Sequence, residues 1–337
     1  MLTKPIFAAA IAALATAGLA HAAAPAPLKV VGHIPGPDGG WDYANFDPVH
    51  HRLYVAHGQA ITVMDVDTGK VTPQLLATKR AHIALPLPGG DELLVTDGGA
   101  DVALLANAST GAIRATVPTG KNPDAALYDP ATKTLFVMNG RSGDITLIDP
   151  KAGKAVGTIA VGGALEFGVS DGAGRVFVNI EDKGEIAVID SKARKVVAHW
   201  PMEGCEEPSG LAYAGDAKLL IAACANGTAK VVSAANGKVV ASPVIGPAPD
   251  AAMYDAGRKL AYIPSGGDGT LSVIAVRGPT DVTVVQKLAT TKGARTGTFD
   301  PASGKIYLPS SDYEPAAKPG ARPVSKPGTF SVMVLGR

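Results

Sequence analysis

One alternation of apolar and polar stretches recurs along the chain. Each copy has a strand of small residues, an Asp-Pro or Asp-Gly turn, a strand with a bulky residue, a Gly-rich loop and a strand that ends in Asp. The stretches 42–68 and 124–150 show the whole phrase. Runs such as Thr-Leu-Phe-Val and Ile-Thr-Leu-Ile are typical of strands, and no stretch has the 3.6-residue period of a helical repeat. The pattern predicts an all-β chain of short strands and turns.

The copies recur at a nearly constant interval. A residue in the middle of the second strand marks each copy: Tyr54, Leu94, Phe136, Phe177, Leu220, Ala261 and Tyr307. The intervals between successive markers are 40, 42, 41, 43, 41 and 46 residues. A period of about 42 residues is typical of four-stranded propeller blades, each of which buries its faces against its neighbours.

The two ends of the chain complement each other. The last copy stops after its third strand, and residues 28–34 resemble the fourth strands of other copies. We therefore predict a single seven-bladed β-propeller in which residues 28–34 form the outer strand of the last blade.

Phrases in the third copy resemble a known repeat. They read Leu135-Phe-Val-Met-Asn139, Ile145-Thr-Leu-Ile-Asp149 and, over 156–162, Val-Gly-Thr-Ile-Ala-Val-Gly. They are similar to the units of the YVTN β-propeller repeat family, and the chain as a whole resembles exported YncE-like propellers. Ala261, at the bulky position of the sixth copy, departs from the family's pattern. The resemblance implies the propeller fold and leaves function open, since such folds host enzymes, binding modules and surface proteins.

The first residues predict export. Lys4 precedes an apolar run over 6–20, and Ala20-His21-Ala22 is a small-residue cleavage site. A run of about 15 apolar residues is too short to span a bilayer. We expect a signal peptide at 1–22, a propeller at 23–337, a periplasmic or secreted location, and no membrane span after cleavage.

Composition narrows the choice of partners. Lys plus Arg number 31 and Asp plus Glu number 30, so the formal net charge is +1. Because the basic residues are also scattered, nucleic acid is not an expected partner. The 40 Gly and 26 Pro fit a chain with many turns.

Charged residues recur at one position of the repeat, just before or at the start of each first strand. We call this set the collar: Asp42, His82, Asp124, Leu165, Ser209, Asp250 and Arg295. In a propeller these positions converge on one mouth of the central channel, where substrates are commonly bound. The collar predicts a binding site for a small molecule or a protein. The alternative is structural, with Asp residues capping loops and an Asp–Arg pair bridging adjacent blades.

Two further features belong to the same mouth. His57 and His33 lie on its side, so a divalent metal held by His and Asp side chains is an alternative occupant, although no spacing signature identifies its ligands. The loop 311–328 of the last copy is far longer than its counterparts and carries Tyr313. Long loops in compact domains are usually functional or disordered, which predicts a lid, a docking arm or a mobile insertion.

The chain has only two cysteines, Cys205 and Cys224, and both lie in the fifth copy. The two strands of that copy form a hairpin whose start and end return to the same face. An even cysteine count in an exported chain favours a disulfide. The alternative is a pair of buried free thiols.

Two functions are consistent with these observations. The first is an extracytoplasmic binding or interaction protein with a polar ligand site at the channel mouth. The second is a propeller hydrolase or lactonase that uses a metal ion held in the same mouth.

Overall fold

The computed structural model describes residue 1 and residues 26–314 and 324–337. Its strands form seven four-stranded antiparallel sheets, each of which is one blade of the propeller. The first blade consists of β2 Ala44–Asp47, β3 Arg52–His57, β4 Ala60–Asp65 and β5 Val71–Ala77. The second consists of β6 Ala81–Pro86, β7 Glu92–Asp97, β8 Val102–Asn107 and β9 Ile113–Pro118. The third consists of β10 Pro123–Asp129, β11 Thr134–Asn139, β12 Asp144–Asp149 and β13 Lys154–Ala160.

The next three blades follow the same order from the channel outwards. The fourth blade consists of β14 Leu165–Ser170, β15 Arg175–Ile180, β16 Glu185–Asp190 and β17 Lys195–Pro201. The fifth consists of β18 Pro208–Ala214, β19 Leu219–Cys224, β20 Thr228–Ser233 and β21 Val239–Ala241. The sixth consists of β22 Met253–Asp255, β23 Leu260–Ser265, β24 Thr270–Gly278 and β25 Asp281–Ala289. Within the described ranges, the one helical element is a 3₁₀ turn, Glu181–Lys183, and no helix is long and apolar enough to cross a bilayer.

The seventh blade joins the two ends of the chain. It consists of β26 Thr298–Phe299, β27 Ile306–Ser310, β28 Ser331–Gly336 and β1 Lys29–Pro35. The strand β1 pairs antiparallel with β28, and its Ile34 lies opposite Val332. This arrangement confirms the predicted seven-bladed propeller and its closure by the N-terminal strand. The predicted signal peptide lies, apart from Met1, outside the described residues.

The burial of the strands explains the apolar runs of the repeat. All six residues of β11 are buried, because both faces of a blade pack against neighbouring blades. The outer strand β13 is mostly exposed. The bulky markers Tyr54, Phe136 and Phe177 are fully buried between blades. A short inner strand of small residues and an all-buried second strand are therefore what this packing requires.

The Asp that ends many third strands caps the next turn. Asp149 Oδ1 accepts hydrogen bonds from the backbone N–H groups of Lys151, at 2.8 Å, and Ala152, at 3.1 Å. Gly153 follows with a φ of 63°, a left-handed conformation that suits glycine. The recurring Asp is thus an Asx turn that fixes the entry to the outer strand.

A disulfide joins Cys205 to Cys224, with their Cα atoms 5.3 Å apart. Cys224 ends β19 opposite Pro208, and Cys205 lies three residues before that proline, in a loop that folds back over the strand end. The predicted disulfide is therefore confirmed.

Candidate functional site

The collar lies at the channel mouth because of irregularities at the starts of the inner strands. The pairing of first and second strands shifts by one residue between Ala81 and Ala84, and the same shift occurs between Pro123 and Ala126. Such a bulge re-aims the side chains within it. His82 and Asp124 occupy this bulge in the second and third blades.

At one collar position the structure has a different residue from the one that the sequence predicts. In the fourth blade Val169 pairs with Phe177, eight residues later, whereas in the third blade Leu127 pairs with Phe136, nine residues later. This turn is one residue shorter, so Glu166 occupies the position that the repeat assigned to Leu165. Leu165 is fully buried in the core. The collar of the structure is therefore the predicted set with Glu166 in place of Leu165.

Three collar side chains from successive blades form one cluster. His82 Nδ1 lies 2.7 Å from Asp42 Oδ2 and 3.4 Å from Asp124 Oδ1. One candidate ligand atom from each residue lies within 4.8 Å of the other two. His82 is only 2% exposed, while the carboxylate side chains of Asp42 and Asp124 keep 24% and 15% of their surface open to the channel. We call these three residues the Asp–His–Asp cluster.

A second ionic contact bridges the sixth and seventh blades. Arg295 Nε donates to Asp250 Oδ2 at 2.8 Å. Backbone hydrogen bonds from Asp250 and Ala251 to the carbonyl oxygen of Arg295 hold the same junction. This pair matches the structural alternative for part of the collar, because it fastens neighbouring blades to each other.

The collar holds more carboxyl groups than basic side chains. Asp42, Asp124, Glu166 and Asp250 surround the channel mouth, and the cations that act on them are Arg80, Arg295 and a protonated His82. Burial and the charge of Asp42 raise the pKa of Asp124 to about 7. Burial and the charges of Asp124 and Asp250 raise the pKa of Glu166 to about 10. These carboxyl groups therefore resist ionisation until a positive charge joins them.

The pKa values of Asp250 and His82 are both raised, as expected beside several carboxyl groups. Burial raises the pKa of Asp250, and the charge of Asp42 raises it further, although Arg295 opposes both. Burial would lower the pKa of His82, but the hydrogen bond with Asp42 and the charge of Asp124 outweigh it, and the pKa is raised. The cluster thus favours a positive charge on or beside His82.

Next to the collar, two aromatic rings contact each other across the channel. Tyr43 of the first blade and Phe167 of the fourth blade have ring centroids 5.2 Å apart, which places them across the channel from each other. Beneath them lies a cavity of about 260 Å³, whose wall includes Tyr213, Tyr254 and Phe299. The same two rings line this cavity.

A larger cavity of about 1240 Å³ lies beside the collar, between the last two blades and the segment that enters the first blade. Its wall includes Trp41, Lys292, Arg295 and Tyr313. The rings of Trp41 and Tyr313 lie 6.5 Å apart. Residues 315–323 of the predicted long loop lie outside the described residues, but its two ends pair, with Glu314 N–H donating to Val324 O at 2.8 Å. Tyr313 thus lines the same cavity as the collar residue Arg295.

The structure does not bring the other candidate histidines to the cluster. His57 is buried against Phe330, with ring centroids 4.4 Å apart, and burial lowers its pKa. His33 is exposed on the outer strand β1, 3.2 Å from the hydroxyl of Ser331.

Sequence reasoning missed three residues at the site. Counting back from the second strand assigns Leu165 to the collar, because the count cannot detect that the turn of the fourth blade is one residue shorter. The count therefore misses Glu166. Tyr43 and Trp41 flank Asp42 in the chain, and an aromatic residue beside a collar position was the available signal.

No protein-family model matches the chain, and no curated protein matches it in sequence. Solved structures do resemble it. One is the hydrazine synthase of Kuenenia stuttgartiensis, with 17% identity and a TM-score of 0.70 over 82% of this chain and 92% of that chain. Another is a chain of a mitotic checkpoint complex, with 13% identity and a TM-score of 0.72 over 100% of this chain and 99% of that chain. At these identities the likeness shows the propeller fold.

Proposed function

We propose that this chain is an extracytoplasmic propeller of the YncE-like, YVTN-repeat kind that binds a polar ligand at the channel mouth. The observation that carries the proposal is the collar itself. Four carboxyl side chains converge there with fewer cations than carboxyl groups, and the raised pKa values of Asp124 and Glu166 show that ionising all four is unfavourable without a further positive charge. The blades bury the apolar surface that stabilises the fold, so the collar residues outside the Asp250–Arg295 pair are free to serve binding.

The excess of carboxyl groups favours a ligand that carries positive charge. A cation at the mouth would lower the pKa of Asp124 and Glu166 and restore their ionised form. Trp41 and Tyr313 flank the mouth and offer aromatic faces, which attract organic cations. The disulfide between Cys205 and Cys224 supports an oxidising location, in agreement with the predicted signal peptide at 1–22.

The test is a thermal-shift screen in the presence of EDTA. The panel contains organic cations (choline, spermidine and arginine), organic acids and sugars. We expect an organic cation to raise the melting temperature of the wild type and to leave the double variant Asp124→Ala/Asp250→Ala unchanged. Far-UV circular dichroism of the double variant is the control for folding. A panel with no stabilising member, or equal shifts in the two proteins, would contradict the proposal.

A second function, a propeller hydrolase or lactonase, is favoured by the Asp–His–Asp cluster. A divalent ion there would act as a Lewis acid, and it would favour the ionised form of Glu166, which would then accept a proton from a bound water. Turnover of a simple lactone by the metal-loaded protein, lost in Asp124→Asn, would support it. Binding without turnover would leave the first function.

A further inference from the structure

The Asp–His–Asp cluster has the donor set of a metal site. It combines one imidazole nitrogen with two carboxylates, and candidate ligand atoms of the three residues lie within 4.8 Å of one another. Three protein ligands with one side open to solvent are typical of sites that exchange a further ligand. The three residues come from three successive blades, so the β-framework fixes their spacing.

The hydrogen bonds of the cluster are incomplete. His82 Nδ1 donates to Asp42, which leaves Asp124 Oδ1 at 3.4 Å without that donor. Within the described ranges, the other ring nitrogen of His82, Nε2, has no hydrogen-bond partner, although the residue is 2% exposed. Buried polar groups are normally paired, and the exceptions call for an explanation. This nitrogen lies beside Gly98, on the side of the ring away from the carboxylates, so it is no part of the cluster; the group that the cluster leaves without a hydrogen bond from His82 is the Asp124 carboxylate.

We propose that the Asp–His–Asp cluster binds one divalent transition-metal ion through Asp42, His82 Nδ1 and Asp124. This inference rests on the proposed ligand site at the mouth and names the class of ligand. Imidazole suits ions such as Zn²⁺, and carboxylates suit Mn²⁺ as well, so the mixed set favours these ions over Ca²⁺, which prefers oxygen ligands alone. The ion would take the place of the proton that His82 Nδ1 shares with Asp42, and it would neutralise Asp124.

The surrounding charges agree with this assignment. The charge of Asp250 raises the pKa of Asp124, and the charge of Arg80 opposes it. Arg295 is engaged by Asp250 at 2.8 Å. The charge left for a ligand is therefore that of the two cluster carboxylates, which one divalent cation would balance once His82 is neutral.

The test titrates the metal-free protein with Mn²⁺ and follows the free ion by electron paramagnetic resonance, with Zn²⁺ and Ca²⁺ as competitors. We expect a single site that Zn²⁺ displaces and Ca²⁺ does not. His82→Gln and Asp124→Asn should each weaken binding by about tenfold or more, the effect typical of losses at metal sites. The matched control is Asp91→Asn, whose carboxylate is 92% exposed on the opposite face, and it should bind as the wild type does.

Two results would overturn the inference. One is the absence of bound Mn²⁺ and Zn²⁺, and the other is equal binding by the wild type and both cluster variants, which would place the ion elsewhere. The screen of organic cations is run with EDTA. The result of that screen is therefore independent of the metal titration. If the titration finds no metal but an organic cation binds in the screen, the metal assignment fails and the proposed function stands.

Discussion

Glu166 makes the stability of the protein depend on pH in a way that one substitution should remove. The side chain lies in the collar, and burial together with the charges of Asp124 and Asp250 raises its pKa from 4.5 to about 10. A carboxyl group whose pKa is raised on folding stabilises the fold below its unfolded pKa, and this stabilisation is lost as the pH rises towards the folded pKa. Glu166→Gln keeps the shape of the side chain and removes the ionisation.

The size of the effect follows from the shift. At pH 8, which is roughly 3.5 units above the ordinary pKa of 4.5, the group is ionised in the unfolded chain and protonated in the folded one. Ionisation therefore lowers the free energy of the unfolded chain by at most about 5 kcal/mol. Buried sites in proteins behave as if the effective dielectric constant were near 20, so we expect about half of that, ~2 kcal/mol. Glu166→Gln should therefore be more stable than the wild type at pH 8, and the difference should vanish near pH 4.5.

Urea denaturation followed by tryptophan fluorescence, at several pH values between 4.5 and 8 with EDTA present, measures the free energy of unfolding. The control is Glu203→Gln, because Glu203 is exposed in the loop before β18. This control should follow the wild type at every pH. Parallel profiles for the wild type and Glu166→Gln would refute the electrostatic account of the collar.

Three further predictions concern the framework. Replacing Cys205 and Cys224 with Ala should lower the free energy of unfolding by about 3 kcal/mol, the chain-entropy value for a loop of 19 residues, and alkylation of the unreduced, denatured protein should label neither cysteine. Deleting Lys29–Pro35 removes the buried side chain of Ile34 and the backbone pairing with β28 that closes the ring, so the urea midpoint should fall by an amount equivalent to about 3 kcal/mol; an unchanged midpoint would show that the closure is dispensable. Asp250→Ala and Arg295→Ala should each destabilise the protein by about 2 kcal/mol, and the double variant by less than the sum; additive losses would show that the pair is not coupled.

The fold was predictable because each blade repeats the same constraints. The interval between Tyr54, Phe136 and the other markers sets the number of blades, and the buried second strands explain the markers themselves. Residues 28–34 could be assigned to the last blade because that blade lacked a fourth strand. Local patterns and global closure agree here, so the sequence alone was sufficient.

The site was predictable only in part, since it depends on register within each blade. Asp42, His82 and Asp124 follow the repeat, and their sequence spacing already placed them at one mouth. Glu166 departs from it because one shorter turn moves the strand by one residue, and a shift of one residue moves a side chain to the other face. Contacts across the channel, such as Tyr43 with Phe167, join residues 124 positions apart and carry no local signal.

The most direct test of the account is a crystal structure of the protein grown with Mn²⁺, with anomalous diffraction recorded to locate the ion. The account predicts one strong anomalous peak at the channel mouth, bonded to Asp42, His82 and Asp124. A mouth without a peak, or peaks confined to exposed side chains such as His51 and Asp67, would contradict it.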